Sequence, residues 1–367
     1  MLLMEATDLY LTVGRQPSLR IGQKIELIDQ PPLTGDDLES ILGQLLTSRQ
    51  RREYDTNNEL NISLDLSHLG RFRANFFRQK MQPGIVIRRI VSKIPSFDQL
   101  RLPALLQKLA LLPRGLILVT GMTGSGKSTT LASMVDYRNK HASGHVITIE
   151  DPVEYYHEHH QSIITQREVG IDTESYEVAL KNTLRQRPDV ILIGEIRDST
   201  VMNQVLFASE TGHLCFSTLH ASNAYQSLER ILGLFDDEQS KQVRQSLAMN
   251  LRAIICQRLL PSLKGDMVVA TEILINEGHI RDLIMEGEFH KIRDVIEQNT
   301  VSGMHSFQQC LLDLVRQNLI SEEIAIQNAD VPGDMKLKIQ QLKMGTRGQK
   351  AASTIAALDT SKLTLTE

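Results

Sequence analysis

Residues 116–131, LILVTGMTGSGKSTTL, set the fold of this chain. LILVT (116–120) is a short, continuous apolar run, the pattern of a strand buried on both faces. GMTGSGKS (121–128) follows at once and matches G-x-x-x-x-G-K-[ST], and STTLASMVDYRNK continues in helix-compatible residues. Strand, glycine loop and helix in that order make a phosphate cradle. Gly121, Gly124 and Gly126 let successive backbone N–H groups curl towards phosphate oxygens, and the next helix presents its positive end. Lys127 is expected to reach the β- and γ-phosphates, and the Ser128 hydroxyl to join a Mg²⁺ shell. Thr123, Ser125 and Thr129 complete the residues expected to hold the nucleotide. The implied cofactors are ATP and Mg²⁺.

The surrounding pattern extends this core. HVITIE (145–150), DVILIG (189–194) and HLCFSTL (213–219) are further short apolar runs with helical stretches between them. Such alternation predicts an α/β domain whose mostly parallel sheet is covered on both faces. After residue 236 the chain reads as helices, with Phe307, Cys310, Leu311, Leu314 and Val315 on one face. Upstream, DLYLTV (8–13), KIELI (24–28), NISLDLS (61–67), FRANFF (72–77) and PGIVIRRI (83–90) read as strands. One helix interrupts them: Thr34 and Asp37 stand in capping-box spacing ahead of Leu38, Ile41, Leu42, Leu45 and Leu46. This predicts a small α+β domain over 1–95, a linker at 96–102, the α/β domain at 103–345 and a flexible tail at 346–367.

Composition narrows the function. The chain has 367 residues, 41% apolar and 23% charged, and a formal charge of −4. A net acidic balance gives no reason to expect a nucleic-acid partner. Three separated cysteines (Cys215, Cys256, Cys310) form no CxxC pair. That speaks against a zinc ribbon or disulfide framework and fits a reducing compartment. The N-terminus does not read as a signal peptide, and no apolar run is long enough to span a membrane. His157-Glu158-His159-His160 is not H-E-x-x-H, because residue 161 is Gln. It reads as solvated residues rather than a metal site.

A glycine loop only holds nucleotide; hydrolysis also needs a metal-ordering acid and a group that activates water. DVILIGEIRD (189–198) supplies Glu195 just past a strand. HVITIEDPVEY (145–155) offers Glu150, Asp151 and Glu154 at the C-terminal end of another. Ligands of open parallel sheets bind at that edge, and a carboxylate there can accept a proton from an attacking water. The residue pattern alone leaves the choice among the three open.

Together these segments resemble the type IV pilus and type II secretion motor ATPases, specifically their PilT/PilU retraction group. ITIEDPVEY (147–155) resembles that family's Asp box, GEIRD (194–198) its Walker B segment and TGHLCFSTLHASNA (211–224) its His box. The resemblance spans about residues 5–320 and implies a RecA-like ATPase domain after a PAS-like N-terminal domain. It implies Glu154 as catalytic base, Glu195 as the Walker B acid on Mg²⁺, and His213 and His220 near the γ-phosphate. It also implies that Arg73 and Arg88 reach the nucleotide from the N-terminal domain. The expected assembly is a cytoplasmic hexamer at the inner-membrane pilus base, acting with a PilT-like ATPase on a PilC-like platform protein.

Two departures direct this expectation. HIRDLIME (279–286) stands where retraction motors carry AIRNLIRE, and Arg187 in LRQRPD (184–189) replaces a frequent acid. Both favour an accessory, PilU-like role in retraction. Assembly motors usually carry a longer N-terminal region and a four-cysteine zinc element, which are not seen here. The rival expectations are an ATP-binding scaffold with weak hydrolysis and a helicase with the same core.

Overall fold

The computed structural model describes residues 1–343, apart from 2, 5, 23, 67–68, 91–92 and 299–302. The tail expected at 346–367 lies outside the described residues. The chain forms two compact units, one from Met1–Ile94 with Pro152–Glu158, the other from Pro95–Asp151 and from His159 onward.

The first unit is an antiparallel sheet with two helices. Its elements are β1 (Asp8–Thr12), β2 (Ser18–Ile21), β3 (Lys24–Leu27), α1 (Gly35–Leu45), α2 (Ser48–Asn57), β4 (Glu59–Leu66), β5 (Gly70–Gln79) and β6 (Gln82–Arg89). The strand order is β3-β2-β1-β6-β5-β4. Thr34 and Asp37 do form the capping box that starts α1. Along β5, Phe72, Ala74 and Phe76 are buried, in the period-two pattern of a sheet with one covered face. They meet Leu38 and Leu42 of α1 and Tyr54 of α2. Arg71 and Arg73 alternate with them, on the other face.

The second unit opens with two short helices, α3 (Phe97–Leu100) and α4 (Leu105–Ala110). β7 (Gly115–Gly121), α5 (Lys127–His141), β8 (Gly144–Glu150), β9 (Ser162–Glu168), α6 (Tyr176–Thr183), β10 (Val190–Ile193), α7 (Ser199–Glu210) and β11 (Leu214–Leu219) follow. Then come α8 (Ala224–Leu232), α9 (Asp237–Asn250), β12 (Leu251–Pro261), β13 (Met267–Ile275) and helices that include α10 (His279–Glu286), α11 (Ile292–Gln298), α12 (Phe307–Arg316) and α13 (Glu322–Asn328).

The sheet order is β13-β12-β7-β11-β10-β8-β9. All neighbours are parallel except β12 and β13. Each central strand splits its apolar residues between two cores, as continuous apolar strands require. Leu116, Leu118, Ile191 and Ile193 pack with α7 and α9, while Ile117, Val119, Val190 and Leu192 pack with Leu106 and with Leu131, Met134 and Val135 of α5.

The expectation that only helices follow residue 236 is corrected. β12 and β13 lie there, and β12 pairs directly with β7. LRAIICQRLLP is apolar on both faces and follows α9 with no glycine or proline between them, so periodicity alone does not separate it from a buried helix.

Candidate active site

β7 ends in the glycine loop. Gly121 has φ +150°, and a Cβ there would lie 2.4 Å from the Ser125 Oγ and 2.5 Å from the Gln257 carbonyl oxygen. Gly126, with φ +90°, is the N-cap of α5 and supplies no side-chain cap. The first turn of α5 holds no acidic residue, while Arg138, Lys140 and His141 lie in its last turn. Its leading N–H groups and positive end are therefore offered to an anion. The Lys127 ammonium lies over the same loop, donating to the carbonyls of Gly121 at 2.9 Å and Met122 at 3.1 Å.

Two buried oxygens beside the loop have no hydrogen-bond partner among the described residues: Ser125 Oγ and Gln257 Oε1. Gln257 Nε2 meanwhile donates to the Thr130 hydroxyl at 2.7 Å, which fixes the carboxamide. Both side chains line a cavity of about 390 Å³ that runs from the loop to Gln327, Asn328 and Ala329. Unpartnered buried oxygens are costly in a finished core. Together with an uncapped helix end and an ammonium on the loop, they fit a polyphosphate ligand with a polar body beside it.

The parallel register brings neighbouring strand ends to the same edge. Leu219 stands opposite Thr120, and Ser217 opposite Ile193. Thr218 Oγ1 donates to Gly194 O at 2.7 Å and Ile196 N to Thr218 O at 3.0 Å, pinning the turn that carries Glu195. Glu195 is gripped on both oxygens: Oε1 lies 3.2 Å from His220 Nε2, and Oε2 accepts from Arg197 Nε at 2.9 Å. Arg197 reaches on to Asp151 Oδ2 at 3.3 Å. Burial holds the His220 imidazole below its ordinary range, and the Lys127 charge pushes it further down, against the pull of Glu195. Burial and Lys127 thus favour the neutral form of the imidazole that stands beside Glu195.

Of the three acids left open by the sequence, Glu150 accepts from Thr148 Oγ1 at 2.6 Å and Gln166 Nε2 at 3.3 Å, and Asp151 binds Arg197. Glu154 belongs to the first unit, where it lines a cavity of about 350 Å³ with Arg73, Arg88 and Tyr155. Arg73 and Arg88 face each other directly across β5 and β6.

His213 is not brought to this edge. It precedes β11, its carbonyl accepts from Gly115 N at 3.0 Å, and its Nδ1 lies 3.0 Å from Ala208 O. Six strand residues separate it from His220, roughly 20 Å at the rise of a strand. Within one chain the expectation of His213 at the γ-phosphate is therefore not met, since β11 carries the two histidines at opposite ends of the sheet. The His157–His160 run is divided between the two units, and His159 Nδ1 accepts from Ile164 N at 3.1 Å. Among the described residues no group of three or more His, Cys, Asp or Glu is placed to hold a metal on its own.

Residues not singled out from sequence also shape the site. Arg197 lies inside the quoted GEIRD, four residues past the strand, where a cation beside an acid was the available signal. Gln257 sits in the missed strand β12, so no signal pointed to it.

A model of the type II/IV secretion system protein family matches residues 55–329. The chain belongs to that family. It is 45% identical over 336 residues to the type IV pilus ATPase PilU of Pseudomonas aeruginosa, covering 91% of this chain and 88% of that protein. The type IV pilus retractation ATPase PilT of the same organism is 38% identical over 327 residues, covering 89% and 95%. A crystal structure of the pilus retraction motor PilT with bound ADP matches with a TM-score of 0.86 at 40% identity, over 91% of this chain and 96% of that one. The PilT/PilU resemblance seen in the boxes is thereby established, and the chain is an ATPase of this family. Among its described residues, no helix is long and apolar enough to cross a membrane.

Proposed function

We propose that this protein is a cytoplasmic, hexameric ATPase subunit that assists type IV pilus retraction together with a PilT-like ATPase, at a PilC-like inner-membrane platform protein. The observation that carries the enzymatic part is the linked group Glu195, His220 and Arg197 at the strand edge that also carries the phosphate loop. A nucleotide-holding scaffold needs the loop but not an acid oriented from two sides. On this reading the second unit is a RecA-like motor domain and the first a PAS-like domain.

The residues divide the work. The amides of Gly121–Thr129 and the Lys127 ammonium bind the β- and γ-phosphates. Ser128 and Glu195 are the residues that would hold Mg²⁺, which when bound neutralises charge on the phosphates. Glu154 accepts the proton of the attacking water, and Arg73 and Arg88 neutralise charge that develops on the transferred group. His220 orients Glu195 and senses the neighbourhood of the terminal phosphate. Gln257 and the cavity beside it accommodate the nucleoside.

The second reading, an ATP-binding scaffold with weak hydrolysis, is favoured by HIRDLIME, which forms the exposed-faced helix α10. Steady-state ATPase measurements on the wild type and Glu195→Ala separate the two. The enzyme reading expects a loss of roughly a hundredfold or more in the variant. Wild-type turnover no higher than the variant's would sink it. Pilus retraction in a strain lacking this gene but retaining a PilT-like motor tests the cellular role.

A further inference from the structure

A row of charged side chains crosses the sheet of the first unit. Register sets Arg20 of β2 opposite Asp8 of β1, Asp8 opposite Arg88 of β6, and Arg88 opposite Arg73 of β5. Directly opposed residues of antiparallel strands share a face. Their neighbours one step along, Leu9, Ile87 and Ala74, belong to the apolar face packed on α1 and α2. Two guanidinium groups, those of Arg20 and Arg88, therefore share one carboxylate on the face away from α1 and α2, and Arg73 stands next in the row. Like charges directly opposed cost stability, so Arg73 beside Arg88 is an arrangement suited to an anion.

The carboxylate is held before it meets Arg88. Asp8 is only 3% exposed. The Thr7 hydroxyl donates to its Oδ2 at 2.8 Å, and Arg20 Nε stands 3.9 Å from the same oxygen while donating to the Tyr10 hydroxyl at 2.9 Å. Asp8 Oδ1 then accepts from Arg88 Nε at 2.8 Å. The Arg88 side chain is nevertheless 70% exposed. Asp8 thus grips the guanidinium by its inner nitrogen, while the rest of the exposed side chain lines the cavity that Glu154 also lines.

We infer that Asp8 is the positioning residue for Arg88, fixing its guanidinium so that the two Nη groups meet the transferred phosphoryl group in a set orientation. The inference rests on the proposed role of Arg88. Arginine's long side chain loses much rotamer freedom when it binds, and one charge-assisted bond at its base removes part of that freedom beforehand. Because the charge it meets grows in the transition state, the gain falls on kcat rather than on KM. A purely structural Asp8–Arg88 pair would instead alter stability and leave the turnover of folded protein unchanged.

Steady-state ATPase kinetics on the full chain decide it, using Asp8→Asn, Arg88→Ala and the double variant, each checked for folding by circular dichroism. Asp8→Asn is expected to lower kcat roughly tenfold with KM within roughly twofold, and to add nothing in the Arg88→Ala background. A folded Asp8→Asn with wild-type kcat beside a slow Arg88→Ala overturns the inference alone, as does an additive loss in the double variant. Wild-type kcat in Arg88→Ala removes the proposed role of Arg88, and the inference with it. Should Asp8→Asn not fold, Thr7→Val loosens the carboxylate more gently. It is then expected to slow turnover several-fold in the otherwise wild-type chain but not in the Arg88→Ala background. Equal loss or no loss in both overturns the inference.

Discussion

Replacing Gly121 by alanine isolates what the loop geometry demands. The new Cβ would lie 2.5 Å from the Gln257 carbonyl oxygen and 2.4 Å from Ser125 Oγ, roughly 1 Å inside ordinary contact. Ser125 can rotate, but Gln257 O belongs to β12, whose Gln257 pairs in register with Gly121. That backbone moves only if the β7–β12 pairing opens. Overpacking of this kind costs about 1–3 kcal/mol. Placing a Cβ at a φ of +150° adds a strain of about 1–3 kcal/mol.

The sum, about 2–6 kcal/mol, corresponds to a fall in Tm of roughly 3–8 °C for a chain of this size. Gly124 offers the control, because its φ is +80° and nothing lies within 4 Å of a Cβ there. Only the backbone contribution remains, about 1–2 kcal/mol, or a few degrees by the same scaling. Thermal unfolding of both variants without nucleotide, followed by titration with a fluorescent ATP analogue, measures the difference. If the loop yields instead of the sheet, Gly121→Ala keeps its Tm but loses nucleotide affinity at least roughly tenfold, since a shift of about 1 Å displaces the amides from the phosphates. A Gly121→Ala protein matching Gly124→Ala in both Tm and affinity would refute the close approach of β12 to the loop.

Three further perturbations follow from the same geometry. Burial holds the His305 imidazole below its ordinary 6.5. The unfolded chain therefore binds a proton that the native one refuses, and stability should fall as pH drops from about 6.5; Tm of the wild type against His305→Gln should converge or cross over that window. Burial pushes Glu272 upward, the Ala224 N–H it accepts at 2.8 Å notwithstanding. Its stabilising contribution is then present at low pH and lost as pH rises through the raised value, so Glu272→Gln should gain on the wild type in Tm as pH rises above the ordinary 4.5. Arg258 stacks 3.9 Å from the Phe307 ring centroid, binds Asp330 at 2.5 Å and donates to Asn328 O. Arg258→Ala should cost about 2 kcal/mol and weaken ATP binding, read by the same titration, because the cavity wall at Asn328 loses its anchor.

Local signals carried far in this chain where a single physical requirement fixed both residue type and structure. The loop glycines, the Thr34–Asp37 capping box and the apolar runs at 116–120 and 189–194 are of that kind. Each was legible because changing its residues would break the element itself. β12 was not legible, because an apolar run buried on both faces satisfies a helix and a strand equally, and only its pairing with β7 decides between them. Gln257 disappeared with it. His213 and His220 lie in one motif of the sequence, but the strand between them sets them at opposite ends of β11 within one chain.

The charged row of the first unit lay hidden for a third reason. Asp8, Arg20, Arg73 and Arg88 are scattered from one end of that unit's sequence to the other, and each alone reads as ordinary strand-surface charge. Only the antiparallel register of four strands turns them into neighbours. On the proposed role of Arg88, what sets it apart from ordinary surface charge is the buried acid that holds it: a solvated pair would gain little, whereas a carboxylate already held by Thr7 and Arg20 lends its order to the guanidinium. Such order has a use only if the exposed side chain meets something, and in an ATPase of this family the transferred phosphoryl group is the anion that gains most from being met in a fixed geometry.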